Sequence, residues 1–178
     1  MDIKYALLGF LSWKSFSGYD LKKIMENSDI FYWSGNNNQI YTGLVQLHRD
    51  GLVEAEAQPS EKMPNRKLYR ITSEGLAVLH QWLTTEPELP QFRKTFLIQL
   101  AWSNNLKTDE IEALLAKYEY ELQMRVTILN EQQKRGVIIN PSRTNREKYL
   151  WQKLFENTVT NFTTELEWVR QIRKDLPE

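Results

Sequence analysis

Residues 36–72 read NNNQIYTGLVQLHRDGLVEAEAQPSEKMPNRKLYRIT, and the rest of the chain is arranged around them. Ile40, Leu44 and Leu47 recur at i, i+4 and i+7, the spacing of one helix face. Gln39, Thr42, Gly43, Gln46 and Arg49 fall on the other side, which reads as polar and, at Gly43, unobstructed. A mid-helix glycine costs about 1 kcal/mol relative to alanine, and close approach of another surface would account for it. Asn36–Asn38 supply capping chemistry at the start, and Gly51 a left-handed stop at the end. From Val53 the period becomes two: Val53, Ala55 and Ala57 alternate with Glu54, Glu56 and Gln58. After a seven-residue polar tip (59–65), Lys67, Tyr69 and Ile71 alternate with Arg66, Leu68 and Arg70. A hairpin this small cannot stand alone and must lean on the helices.

Upstream, Ile3 to Trp13 predicts a first helix apolar around much of its girth, suited to a core. Ser15–Gly18 breaks it. Ser17 or Gly18 then caps a second helix to about Asn27, with Asp20 in its first turn and Tyr19, Leu21, Ile24 and Met25 on its apolar side. The aromatic run Ile30-Phe31-Tyr32-Trp33 reads first as a plug seating the turn before the third helix; the sharper reading makes it part of a ligand pocket. Downstream, Thr72 caps a fourth helix with Leu76, Leu79, His80 and Leu83 on its buried side.

Glu86-Pro87-Glu88-Leu89-Pro90 cannot continue a helix and marks a boundary. Beyond it the pattern is helical throughout. Phe92–Ser103 forms one helix. Thr108-Asp109-Glu110 opens the next, striped by Ile111, Leu115, Tyr118, Leu122, Val126 and Leu129. Thr144 and Glu147 make a capping box for a last long helix, striped by Trp151, Leu154, Phe155, Thr158, Phe162, Leu166, Val169 and Ile172. Two helices of about 40 Å exceed what a domain of that size covers, so their stripes call for a second copy.

The fold class is therefore mainly α with a small β-hairpin: a winged helix-turn-helix over 1–86, then an α-helical dimerisation and effector domain over 91–178. The 178 residues carry 23 Lys+Arg against 23 Asp+Glu, and up to Thr85 the balance is 9 against 9. Attraction to a polyanion must come from local placement. The chain has no cysteine, which excludes disulfides and thiolate metal sites and fits a cytoplasmic protein. Tyr5–Leu11 is too short to span a bilayer and lacks the flanks of a signal peptide.

A helix face of Asn, Gln and Thr matches what the major groove asks for: amides pair with adenine, and Thr touches the thymine methyl. N-terminal residues of such a helix meet the bases, which selects Asn37, Asn38, Gln39 and Thr42, with Gln46 and Arg49 beyond them. Tyr41 falls on a phosphate or packs beneath. Lys62, Asn65, Arg66 and Lys67 cluster at the hairpin tip, where they would lie along phosphates or the minor groove. Each signal alone has a bland counterpart, an exposed amphipathic helix or a solvated turn. In this order the pair is more specific than either.

At this point the sequence resembles the PadR family of bacterial transcriptional regulators. The resemblance runs through Tyr5-Ala6-Leu7-Leu8-Gly9, Ser17-Gly18-Tyr19-Asp20-Leu21, Gln39-Ile40-Tyr41, Leu44, Leu47, Asp50-Gly51-Leu52-Val53, Arg66-Lys67-Leu68-Tyr69-Arg70-Ile71-Thr72 and Gly75. By pattern, the second half looks like the larger PadR subgroup with a virulence-activator-like C-terminal domain. The chain departs from many relatives at Thr42, where they carry proline, and in a glycine-poor tip. The resemblance implies a homodimeric winged-helix repressor, released from its operator by a small molecule such as a phenolic acid; its two recognition helices would enter successive major grooves of double-stranded DNA on a palindromic site.

Enzyme readings find little support. His48 and His80 are the only histidines, and no carboxylate pair, phosphate loop or nucleophile elbow accompanies them; neither a cofactor nor a metal is expected. The aromatics Trp102, Tyr118, Trp151, Phe155, Phe162 and Trp168 read first as bundle packing. Their functional reading is an effector site between the wing domain and the helical bundle, in which Trp102, Trp151 and Phe155 stack on a flat aromatic and Arg93 or Lys94 holds its carboxylate. The alternative from another class is a dimeric winged-helix module that binds protein rather than DNA, favoured by the absence of net positive charge.

Overall fold

The computed structural model describes residues 3–26, 38–58, 66–90, 94–136 and 143–177. The chain divides into two compact units, Met1–Glu88 and Leu89–Glu178, with the break inside the proline-punctuated stretch 86–90.

In the first unit, α1 (Ile3–Leu11) buries Leu7, Leu8, Phe10 and Leu11. β1 (Phe16–Ser17) follows, and α2 (Gly18–Glu26) starts on a reciprocal cap. The Asp20 backbone N–H donates to Ser17 Oγ (3.2 Å), while Ser17 N and Oγ both donate to Asp20 Oδ2 (3.1 and 2.7 Å). Leu21 and Met25 fill the core from this helix, whereas Tyr19, expected on the apolar side, is 63% exposed. As the first residue after Gly18 it sits at the helix rim, before the buried face has been set.

The third helix, α3 (Asn38–Arg49), buries Ile40, Leu44 and Leu47 as the spacing predicts. Leu52 and Val53 carry the burial into β2 (Val53–Gln58), which pairs antiparallel with β3 (Arg66–Ile71) from Val53↔Ile71 to Gln58↔Arg66. The seven-residue connection has the expected length. A two-stranded hairpin understates the sheet, however: Phe16 and Ser17 pair with Tyr69 and Leu68, giving the order β1-β3-β2. Two residues are too few to show a period, so the sequence reads there only as a helix break.

Thr72 closes the hairpin and opens α4 (Ser73–Leu83) together. Its N–H donates to the Leu52 carbonyl (3.1 Å), its hydroxyl to the Gly51 carbonyl (2.9 Å), and its Oγ1 accepts from Gly75 N (3.0 Å). The buried side of α4 is Gly75 and Leu79, with Val78 against the core and Trp82 stacked on Tyr5 at 4.4 Å. Leu76 and Leu83, expected inward with His80, are 47% and 65% exposed, and His80 is exposed too. The close approach at Gly75 turns the helix away from the face its leucines suggest.

In the second unit, α5 (Thr95–Ala101) is shorter than the 92–103 expected, and a 3-10 turn (Ser103–Asn105) leads to α6 (Thr108–Lys134). The cap of α6 is one residue earlier than read: the Lys107 N–H donates to the Glu110 carboxylate (2.8 Å). α7 (Asn145–Asp175) begins at Thr144, whose Oγ1 accepts from Glu147 N (3.1 Å), while Arg143 N donates to Glu147 Oε2 (2.8 Å). At 27 and 31 residues these helices extend about 40 and 46 Å. They pack antiparallel, as the pairs Glu112–Arg173, Glu119–Arg170 and Tyr118–Glu165 show. Phe96, Leu115, Leu122, Val126, Leu166 and Val169 form the core between them. Leu154, read as part of that stripe, is 43% exposed.

Candidate nucleic-acid interface

With Ile40, Leu44 and Leu47 turned into the core, the residues opposite them on α3 are Asn38, Thr42, Val45 and Arg49, all exposed. Gln39 and Gln46 flank this stripe, exposed as well. Gln46 Nε2 donates to Asp50 Oδ1 (2.7 Å), which holds the amide along the helix axis toward its C-terminal end. Asn37 lies outside the described residues.

Gly43 is a correction. It belongs to the side of α3 that meets α1: a methyl there would stand 2.9 Å from Leu7 Cδ1 and 3.4 Å from Ile3 Cγ2. The glycine lets two core helices approach and leaves no opening toward a ligand. Tyr41 is likewise braced by its neighbours. A methyl on Gly18 would meet the Tyr41 ring at 2.7 Å, so the ring lies on the first residue of α2, although Tyr41 as a whole is 44% exposed. The Tyr69 hydroxyl is held above its usual pKa by burial and, second, by nearby Tyr41.

His48 is structural: its Nδ1 stands 3.0 Å from the Val53 carbonyl, tying the end of α3 to the start of β2. That link fixes the wing relative to the helix. Lys67 is exposed near the distal end of β3, on the face shared by Tyr69 and Ile71. Arg66 pairs with Gln58 through the backbone at the last rung. Lys62 and Asn65 lie outside the described residues. On the opposite face of the sheet Arg70 is engaged by Glu54 (2.7 Å) across the strands, its guanidinium held above its ordinary pKa by that carboxylate. Among the described residues, Lys67 on β3 and Arg49 on α3 are exposed cations on this side of the unit. Val45 is the residue that sequence reasoning missed; the signal was its place at i+7 from Asn38.

Of the five residues suggested for an effector, the four that are described are spread along the second unit within one copy. Arg93 lies outside the described residues. Lys94 Nζ already meets Glu165 Oε2 (2.6 Å). Trp102 is 70% exposed at the far end of α5, and Trp151 and Phe155 are on α7, Trp151 about 21 Å along the helix axis from Glu165. Phe155 is buried and Trp151 half-buried. Beside Lys94, Phe96 stacks on Tyr118 at 3.7 Å with Trp168 edge-on at 6.3 Å, and Tyr118 Oη donates to Glu165 (3.1 Å). Burial, with Glu165 second, pushes the Tyr118 pKa up to about 12. This cluster fastens α5 to the α6–α7 pair. Among the described residues no group of three or more His, Asp or Glu side chains is placed to hold a metal, and no helix is long and apolar enough to cross a membrane.

Residues 7–81 match the model of the transcriptional regulator PadR-like family. The negative transcriptional regulator PadR of Bacillus subtilis is 28% identical over 132 residues, 74% of this chain and 71% of that protein. Among solved structures, Bacillus subtilis PadR in complex with operator DNA superposes with a TM-score of 0.82 at 20% identity, covering 97% of each chain. The same protein in complex with p-coumaric acid gives 0.78 at 20% identity, over 98% of each. The Vibrio cholerae virulence activator AphA gives 0.69 at 20% identity, over 97% of this chain and 96% of that one. At these identities the superpositions speak to the fold, which is the winged-helix unit followed by long helices. Residues 7–81 thus form a transcriptional regulator PadR-like family domain, carried in the first unit of the chain.

Proposed function

We propose that this chain is a homodimeric repressor whose α3 helices enter successive major grooves of a palindromic operator, about 34 Å apart. The observation that carries the reading is the exposed stripe Asn38–Thr42–Val45–Arg49, flanked by Gln39 and set against a wing by the His48–Val53 bond. Asn38, Gln39 and Thr42 contact bases, Tyr41 steadies the helix from Gly18, and Lys62, Asn65, Arg66 and Lys67 hold the backbone. The first unit acts as the DNA-binding domain and the second as the dimerisation and effector domain. Exposed Tyr120, Met124 and Ile128 on α6, and Leu150, Leu154 and Trp168 on α7, give the second copy an apolar surface to cover. The protein works in the cytoplasm, where its operator is.

A small aromatic acid is the effector of choice, because a relative has been solved with p-coumaric acid. Since Lys94 and the tryptophans are spread along one copy, such a site takes its complete form only in the assembled protein. A mobility-shift titration on the promoters of its own and neighbouring operons tests the DNA reading. Retardation of one promoter, relieved by a hydroxycinnamic acid, is expected; no sequence preference at any salt would sink it and leave a protein-binding winged helix in its place.

A further inference from the structure

We propose that Val45 reads the 5-methyl group of a thymine, acting as the apolar element of an otherwise polar recognition stripe; this rests on the DNA-binding reading above. Val45 is 54% exposed and lies outside the core cluster of its unit. It stands opposite Leu44 and Leu47, three residues after Thr42 and four before Arg49, so it occupies the middle of the surface that would face a groove. A β-branched residue is a weaker helix former than alanine, and here its side chain lies outside the core cluster. An apolar side chain in a polar stripe is suited to an apolar contact on the partner.

The neighbours define what that is. Asn38, Gln39, Thr42 and Arg49 supply donors and acceptors, so hydrogen-bond readout is already provided on both sides. What the major groove offers besides donors and acceptors is the thymine methyl, which polar side chains alone read poorly. The two γ-carbons of Val45 are held in one rotamer by helix sterics, which fixes the apolar surface before contact. Thr42 presents its own methyl one turn earlier, and together they bracket a single methyl group at the edge of a base pair.

The test uses the full-length chain and a duplex selected by it from a randomised pool, with each thymine replaced in turn by deoxyuridine. That change removes the methyl group and leaves every hydrogen bond intact. At one position per half-site the loss should weaken wild-type binding about fourfold, the worth of one buried methyl group, while in Val45→Ala the same change costs clearly less, Thr42 alone touching the methyl. Val45→Ala should keep the wild-type circular dichroism spectrum and should not lower the melting temperature, since the side chain is outside the core and alanine is the better helix former. Uridine effects of equal size in both proteins would overturn the role of Val45 and leave the DNA-binding reading standing. A pool that yields no preferred sequence would overturn both.

Discussion

A methyl group added to Gly75 would lie 2.1 Å from the carbonyl oxygen of Leu52, a main-chain atom that cannot step aside. Thr72 holds the same turn with bonds to Gly51 and Leu52, so the strain has nowhere to spread. Gly75→Ala is expected to destabilise the first unit by about 2–3 kcal/mol, read as a lower midpoint in urea unfolding followed by circular dichroism. An unchanged midpoint would mean that the hairpin-to-helix junction is looser than described. Residue-level function follows the same logic on α3. Gln39→Ala should relax sequence preference while leaving affinity for random DNA nearly intact, and Lys67→Ala should weaken all sequences alike and reduce the salt slope by about one. The sequence showed Ile40, Leu44 and Leu47 plainly, because spacing alone defines an inward face. It misplaced Gly43, since a glycine on a helix surface looks the same whether a helix or a ligand approaches it. Only the positions of Leu7 and Ile3 decide between the two.

At the scale of elements, strong periodicity and recognisable caps were legible, and short or locally shaped pieces were not. The long helices announced themselves through Leu115, Leu122, Val126, Leu166 and Val169. β1 did not, being two residues long and held by its pairing with β3. Nor did the α5 clasp, because Lys94 and Glu165, or Phe96 and Tyr118, are far apart in sequence and meet only after folding. Lys94 in particular reads as a spare cation until Glu165 is placed beside it. The α6–α7 pair carries a charge ladder on its surface. Hydrogen bonds from Arg170 and then Arg173 hold the Glu119 carboxyl below its ordinary pKa of 4.5, and Arg173 also meets Glu112 (3.3 Å). A depressed carboxylate pKa adds stability that is complete above 4.5 and is lost as pH falls through the lower folded value. Unfolding midpoints of the second unit should therefore drop on acidification below about pH 4.5, and Glu119→Gln should flatten that part of the profile. Equal acid slopes in the two proteins would show the ladder to be idle. The Glu119 side chain is 18% exposed, but its arginine partners stand at the surface where solvent screens them, so the effect is a modest one.

For the molecule as a whole, the apolar side chains left on α6 and α7 set the expectation of a dimer. Leu150, Leu154 and Trp168 lie along one side of α7, and Tyr120, Met124 and Ile128 recur every fourth residue on α6. Leu154→Glu should shift the sedimentation profile from dimer toward monomer without loss of helix content, and operator affinity should fall because a single α3 reads only a half-site. Wild-type sedimentation as a monomer at micromolar concentration would contradict this. The zero net charge bears on the same scale. With few cations placed on the wing and α3, binding must come from fitted contacts, so non-specific DNA should be held weakly and released by modest salt. Fluorescence anisotropy of the full-length dimer on a pool-selected duplex, against a scrambled duplex of the same composition at physiological salt, puts this most directly. The expected result is affinity for the selected duplex at least about 10³-fold tighter, with most of that ratio lost in Gln39→Ala. Equal affinity for the two duplexes would contradict the account.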